Sequence, residues 1–330
     1  MHHHIRIGPI LCFSFFVGCI MLSGCSNHSD QIQITVPDYE IQDSLPYVVV
    51  LGNVQDAGSP HAGCKKDCCK DLFENPDPLR MVTCLGIVDP IAAKTYLIEA
   101  SPDLPRQMKY LSQEMGIQNN PPDGIFLTHG HIGHYSGLMF LGKESMSANQ
   151  VPVYAMPRMS NFLKNNGPWD QLVKINNIEI NELKGDDTIS LSEHLSISPF
   201  LVPHRGEYSE TVGYRINGPN KSIIFIPDID KWNKWSKSIY KEVHNVDYAI
   251  IDATFYDEEE INYRDISEIP HPFVIETMAI FDTSAVEVRN KIQFIHLNHT
   301  NPLLRIDHPK TINVLRKGYQ VASFGKIYNL

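Results

Sequence analysis

Residues 127–134 read Leu-Thr-His-Gly-His-Ile-Gly-His and place three histidines within six positions, at His129, His131 and His134. The cluster ends the apolar run 125–127, which is typical of a short buried strand. The turn after such a strand lies at the edge of a sheet, where imidazoles can converge on one metal ion. The pattern His-x-His-x-x-His therefore predicts a metal centre.

Three further metal donors also follow apolar strands in the sequence. They are His204 after 200–203, Asp228 after 223–227 and His296 after 292–295. A single histidine in such a position is more often structural. Because loops at strand ends gather at one edge of a sheet, the repetition in this order predicts one metal centre that uses all of these residues.

Predicted strands and helices alternate along residues 45–330 without a linker-like segment. Apolar runs near 47–52, 82–87 and 95–100 predict strands, and helices are expected at 101–116, 135–146 and 157–166. This mixture indicates a single α/β sandwich domain rather than two domains.

The histidine cluster resembles the metallo-β-lactamase-fold signature His-x-His-x-Asp-His. The segments 247–254 and 294–304 resemble pyrroloquinoline quinone biosynthesis protein B, and the cyclic-phosphate phosphodiesterase of the carbon–phosphorus lyase pathway shares the arrangement. The resemblance spans about residues 47–330 and implies the four-layer αβ/βα sandwich of that superfamily. It also implies that a metal-bound hydroxide attacks an ester, lactone, thioester or phosphodiester.

By position, the resemblance implies one or two active-site metal ions, zinc first, with manganese or iron as alternatives. The first ion would be held by His129, His131 and His204, the second by His134 and His296, and Asp228 would bridge the two.

Gly133 stands where the signature has aspartate, which leaves the second ion one anionic donor short. Three outcomes are open: one metal, a second metal completed by water, or a substitute carboxylate. Asp56 is a candidate substitute, although an aspartate before Ala57-Gly58 more commonly forms a turn.

His271, between Pro270 and Pro272, corresponds roughly to a histidine that the phosphodiesterase relatives use near the leaving group. The resemblance therefore implies that His271 is a general acid or transition-state donor. Asp228, the bridging ligand, is also expected to be a catalytic residue. The alternative is a loop histidine that the two prolines restrict. Asp252, at a strand end, is a candidate to orient a ligand histidine.

Three cysteines within six residues suit a tetrahedral structural zinc site. They are Cys64, Cys68 and Cys69, and the resemblance to the phosphodiesterases implies His299 as the fourth ligand. The alternative is a disulfide from Cys64 or Cys68 to Cys84, as exported proteins often contain.

The N-terminus predicts export. Arg6 precedes an apolar run, 7–22, that is too short to span a membrane comfortably. The residues Leu22-Ser23-Gly24-Cys25 resemble a bacterial lipobox, which implies a signal peptide at 1–24 and a lipid on Cys25. An ordinary signal peptide or an uncleaved anchor is the alternative. Residues 25–44 are expected to tether the domain in the cell envelope, on the periplasmic or outer surface.

The formal net charge of −10 argues against nonspecific nucleic-acid binding. The leading prediction is a membrane-anchored, metal-dependent hydrolase of a small phosphodiester or cyclic phosphate. The alternatives are an oxidative metalloenzyme like the quinone-biosynthesis relatives and a noncatalytic metal-binding lipoprotein.

Overall fold

Fourteen strands and nine α-helices are present in the computed structural model, which describes residues 45–113, 116, 121–261 and 265–330. The strands are β1 (Tyr47–Gly52), β2 (Cys84–Asp89), β3 (Lys94–Ile98), β4 (Gly124–Phe126), β5 (Val151–Ala155), β6 (Ile178–Glu182), β7 (Ile189–Ser190), β8 (Ser196–Leu201), β9 (Val212–Asn217), β10 (Ser222–Ile226), β11 (Tyr248–Asp252), β12 (Ile292–Ile295), β13 (Gln320–Val321) and β14 (Ile327–Asn329). The helices are α1 (Asp67–Lys70), α2 (Leu104–Gln113), α3 (Ile132–Tyr135), α4 (Pro157–Asn165), α5 (Trp169–Lys174), α6 (Ile239–His244), α7 (Val274–Ile280), α8 (Val286–Asn290) and α9 (Pro309–Arg316).

The strands form two seven-stranded sheets with similar topology. The first has the order β14-β1-β2-β3-β4-β5-β6 and the second the order β13-β12-β11-β10-β9-β8-β7. Strands β3 to β6 are parallel to one another, as are β10 to β13, while the remaining pairs are antiparallel. The parallel strands therefore deliver their carboxyl ends, and the loops that follow, to one edge of each sheet.

The central strands of each sheet are buried on both faces. In β1, Val48 and Val50 join a core that contains side chains of both sheets. Val49 and Leu51 point to the other face, into a core that includes Leu104 of α2. Because side chains alternate across a strand, a run that is apolar at every position is expected here. Helix, sheet, sheet and helix layers follow one another, so the predicted four-layer αβ/βα sandwich is confirmed.

The helix expected over 135–146 is the clearest departure. The chain forms the short α3 and then a 3₁₀ segment, Ser136–Leu141. The Gly137 amide donates to the Ala100 carbonyl at 2.9 Å. A Cβ at Gly137 would lie 2.0 Å from the Ser101 carbonyl oxygen. This backbone contact with a distant segment redirects the chain, and local periodicity cannot reveal it.

All described residues fall in one compact unit. The predictions of a signal peptide at 1–24 and a tether at 25–44 lie outside the described residues. Within the described ranges, no helix is both long and apolar enough to cross a membrane.

Candidate metal centre

The predicted ligands come from the loops that follow four strands of the two sheets. The histidine cluster follows β4, and His204, Asp228 and His296 follow β8, β10 and β12. His296 has a φ of +63°, a left-handed conformation that is uncommon for a residue with a side chain. Its neighbour Leu297 holds the turn in place by donating to the Asn53 carbonyl at 2.8 Å.

The first predicted ligand set converges, and its four donors lie within 4.8 Å of one another. Nδ1 of His131 is 2.9 Å from Nε2 of His129 and 3.3 Å from Nε2 of His204. Oδ2 of Asp228 is 3.3 Å from Nε2 of His129 and 3.2 Å from Nε2 of His204. Ligands bound to one tetrahedral zinc ion at about 2.0–2.1 Å lie about 3.3 Å apart, so this spacing is close to that of donors to a shared ion.

The outward ring nitrogens of these histidines face oxygen atoms, as expected when a second layer of residues orients metal ligands. The partners are Thr128 Oγ1 at 2.8 Å for His129 and Asp230 Oδ1 at 3.2 Å for His204, while Nε2 of His131 lies 3.4 Å from Glu207 Oε2 without a hydrogen bond. None of these partners was predicted from the sequence, although Asp230 lies only two residues after a predicted ligand.

The second group contains His134, His296, Asp228 and also Asp56, again within 4.8 Å of one another. Oδ1 of Asp56 is 2.9 Å from Nε2 of His134 and 3.0 Å from Nε2 of His296. Of the three outcomes left open at Gly133, the structure places the candidate substitute carboxylate beside both predicted histidines.

The second group also has an outer layer of polar residues. The fully buried Glu99 places Oε1 3.1 Å from Nδ1 of His134. Oγ1 of Thr254 is 2.9 Å from Nδ1 of His296. Glu99 was missed because the strand was expected over 95–100 and so included it, whereas β3 ends at Ile98 and Glu99 follows it directly.

Opposing charges keep the carboxylates of both groups ionised. Burial favours the neutral form of Asp228, but His271 and the three histidines of the first group hold its pKa well below the usual range. Burial likewise favours neutral Asp56, yet His134 and His296 hold its pKa low. Ionised carboxylates are the form that binds a metal ion.

The carboxylate of Asp228 indicates whether these residues could bind two metal ions. Oδ1 of Asp228 is buried and accepts no hydrogen bond of good geometry, although Nδ1 of His271 lies 3.1 Å away, while Oδ2 lies among the first ligand set. A buried acceptor without a donor is costly in a protein interior. A carboxylate that shares its two oxygens between metal ions would satisfy both atoms, and the donor set therefore fits two ions.

His271 lies against the same aspartate. Its Nδ1 is 2.9 Å from Oδ2 of Asp252 and 3.1 Å from Oδ1 of Asp228. Burial would lower its pKa, but the two carboxylates hold the pKa well above the usual value. Asp252, considered as a partner for a ligand histidine, is closer to His271 than to His296, whose Nδ1 lies 4.0 Å away.

The three clustered cysteines meet His299, with donors within 4.8 Å of one another. Sγ of Cys68 is 3.9 Å from Sγ of both Cys64 and Cys69. Sulfur atoms about 2.3 Å from one tetrahedral zinc ion lie about 3.8 Å apart. Burial, with His61 and Lys66, lowers the pKa of His299 to about 4, which favours the neutral imidazole that binds metals.

The alternative disulfides are absent from the described part of the chain. Cys64, Cys68, Cys69 and Cys84 are all free. Cys84 is fully buried in β2, where its thiol donates to backbone carbonyls.

A cleft of about 380 Å³ opens beside His204 and is lined in part by Arg158, Lys234 and Trp235. Arg158 donates to the Gly206 carbonyl at 2.9 Å, and the indole of Trp235 donates to the Leu201 carbonyl at 2.9 Å. Trp235 therefore packs against the fold and also forms part of the wall of a cleft that carries Arg158 and Lys234 together with the carboxylate of Glu210.

The model of the beta-lactamase superfamily domain matches residues 94–297. Coenzyme PQQ synthesis protein B of Methylorubrum extorquens (strain PA1) is 25% identical over 311 residues, which cover 86% of this chain and all of that protein.

Two solved structures have a similar fold. Zinc-bound PqqB from Methylobacterium extorquens aligns with a TM-score of 0.69 at 22% identity, over 86% of this chain and 100% of that one. A diphosphatase of the PhnP family aligns with a TM-score of 0.58 at 22% identity, over 86% and 97%. The resemblance stated from the histidine cluster and the two C-terminal segments is confirmed.

Proposed function

The chain belongs to the metallo-β-lactamase-fold family of metal-dependent hydrolases, and on that premise we propose that it cleaves a small phosphodiester or cyclic phosphate. The observation that carries the proposal is the position of Asp228, which lies in both donor groups and beside His271. A pair of metal ions held by these groups, with an acid nearby, would suit displacement at phosphorus. A structural neighbour is described as a diphosphatase, which favours attack at phosphorus over attack at the carbonyl of a lactone or thioester.

The metal-binding residues of the two groups would have separate roles in the reaction. His129, His131 and His204 would hold one ion and His134 and His296 the other, with Asp228 shared. Bound zinc, or manganese or iron, would lower the pKa of a water molecule towards neutrality and polarise a phosphoryl oxygen.

His271 would give a proton to the departing oxygen. Its close polar neighbours, Asp228, Asp252 and Thr254, all contact Nδ1, which leaves Nε2 to face the substrate. The two carboxylates favour the protonated ring before the reaction and orient it during the reaction. We therefore assign His271 as the general acid, with Asp252 as its positioning residue.

A substrate panel tests the proposed reaction. Purified protein loaded with zinc, manganese or iron is expected to hydrolyse bis(p-nitrophenyl) phosphate and cyclic nucleotides faster than chromogenic lactones or thioesters. Release of p-nitrophenol and chromatography of the nucleotides measure the rates, and metal-stripped protein is the control. Turnover of lactones or thioesters alone would move the assignment to another ester class. No turnover with any metal would favour a noncatalytic binding protein.

An oxidative role is the second candidate, because the curated relative at 25% identity is a coenzyme PQQ synthesis protein. The metal content of protein purified from its native host distinguishes the oxidative role from the hydrolytic one. Iron together with oxygen consumption would favour oxidation, and zinc would favour hydrolysis.

We also propose that the enzyme is anchored in the bacterial cell envelope by a lipid on Cys25, on the evidence of the Leu22-Ser23-Gly24-Cys25 sequence. Mass spectrometry of native protein is expected to find a lipidated N-terminal Cys25. An intact Met1 would contradict the proposal.

A further inference from the structure

We propose that Asp56 is the anionic ligand of the second metal ion and takes the place of the aspartate that the chain lacks at position 133. The inference rests on the proposed metal-dependent function and specifies how its second site is completed. The site would then contain four protein ligands, namely Asp56, His134, Asp228 and His296.

The contacts of Asp56 are those of a ligand rather than of a turn residue. Its Oδ1 lies 2.9 Å from Nε2 of His134 and 3.0 Å from Nε2 of His296, the same spacing as in the first donor group. The opposite nitrogen of His134 faces the carboxylate of Glu99 at 3.1 Å. With Nδ1 of His134 directed at Glu99, Nε2 is the ring atom that faces Asp56, and a cation between Nε2 and Oδ1 of Asp56 would contact both.

Gly133 makes room for this carboxylate. A Cβ at position 133 would lie 2.5 Å from Cα, 2.6 Å from Cβ and 2.7 Å from Cγ of Asp56. Such distances are far below van der Waals contact, so a side chain at 133 and the observed position of Asp56 exclude each other. Gly133 is not among the glycines with a positive φ, so backbone conformation does not require it. A carboxylate can therefore occupy this space from position 133 or from position 56, but not from both. In this chain it comes from position 56.

The loop that carries Asp56 is fixed to the second site by its backbone. The Gln55 amide donates to the Leu297 carbonyl at 2.9 Å, and the Leu297 amide donates to the Asn53 carbonyl at 2.8 Å. Leu297 directly follows His296, so the two ligands sit on paired segments. Val54 is also bridged to Val82. Ligands held on paired backbone segments keep the precise spacing that a metal site needs.

Metal binding to Asp56→Asn tests the proposal independently of catalysis. The variant keeps the shape of the side chain and loses its charge. We expect the affinity for the second active-site equivalent to fall at least about 10–100-fold, while the first equivalent and the cysteine-bound metal are retained. Titration calorimetry on metal-stripped protein and elemental analysis after dialysis against buffered zinc measure this.

Matched variants complete the test. Asp186→Asn removes the charge of an exposed carboxylate outside the described donor groups and is expected to leave all equivalents unchanged. Gly133→Ala should displace Asp56 and weaken the same equivalent. Unchanged affinity in Asp56→Asn, or a wild-type protein that binds no second equivalent, would overturn the proposal. A selective loss of the second equivalent without turnover of any phosphodiester by wild-type protein would support the ligand assignment and refute only the proposed function.

Discussion

His271→Ala is expected to slow hydrolysis of an alkyl phosphodiester by about 10²–10⁴-fold and hydrolysis of a p-nitrophenyl phosphodiester far less. An alkoxide is a poor leaving group and needs a proton from the enzyme, whereas p-nitrophenolate leaves without one. The position of Nδ1 against Asp228 and Asp252 keeps the proton available on the ring. Turnover rates of the two substrates at saturating metal measure the difference.

His271→Asn separates proton donation from packing. The amide can still donate to Asp252 but cannot act as an acid, so it should preserve the fold and show the same dependence on leaving group as the alanine variant. His194→Ala, which removes a half-exposed histidine outside the described metal-binding groups, should behave as wild type. An equal loss for both substrates would indicate a structural or metal-binding role for His271 instead.

If the cysteine group binds zinc as predicted, Cys69→Ser is expected to release that ion and to lower the unfolding midpoint by about 5–10 °C, corresponding to roughly 2–3 kcal/mol. The reason is that this region has almost no core of its own. Cys69 is the buried residue of α1, and the following 3₁₀ turn, Asp71–Phe73, buries none. Zinc content, the thermal unfolding midpoint and protease cleavage within residues 61–73 are the measurements.

Cys84→Ala is the matched control. It removes a buried thiol from β2, outside the zinc group, and should retain the zinc and the protease resistance of 61–73 while losing about 1 kcal/mol from the small cavity. If Cys69→Ser kept its zinc and its resistance to cleavage, the structural zinc assignment would be wrong.

Much of the site could be predicted from one rule applied to the sequence, namely that a donor follows an apolar strand. His204, Asp228 and His296 all obey it, and the parallel strands β10 and β12 bring two of them to the same edge. The cysteine group could also be predicted, because its three cysteines are close in sequence. Only the choice of His299 required the resemblance to known phosphodiesterases.

The features that could not be predicted from the sequence depend on contacts between segments that are distant along the chain. Asp56 satisfies the same rule, but Ala57-Gly58 after it equally predicts a turn, and the clash that excludes a side chain at Gly133 exists only in three dimensions. Glu99 has a φ of +84°, which is unusual for glutamate and gives no local sequence signal. The end of α3 is set by the approach of Gly137 to Ser101, which periodicity does not register.

The ligand donors are divided between the two halves of the sandwich. Asp56 and the histidine cluster follow strands of the first sheet, whereas the other donors follow strands of the second. An ion bound by both sets recognises only the assembled sandwich, so it adds to the free energy of unfolding by mass action, by about 2.7 kcal/mol at a hundred times its dissociation constant. The stability of the folded domain would therefore depend on the free metal concentration around it. At low metal concentration the protein would lose its activity and would also unfold and be degraded more readily.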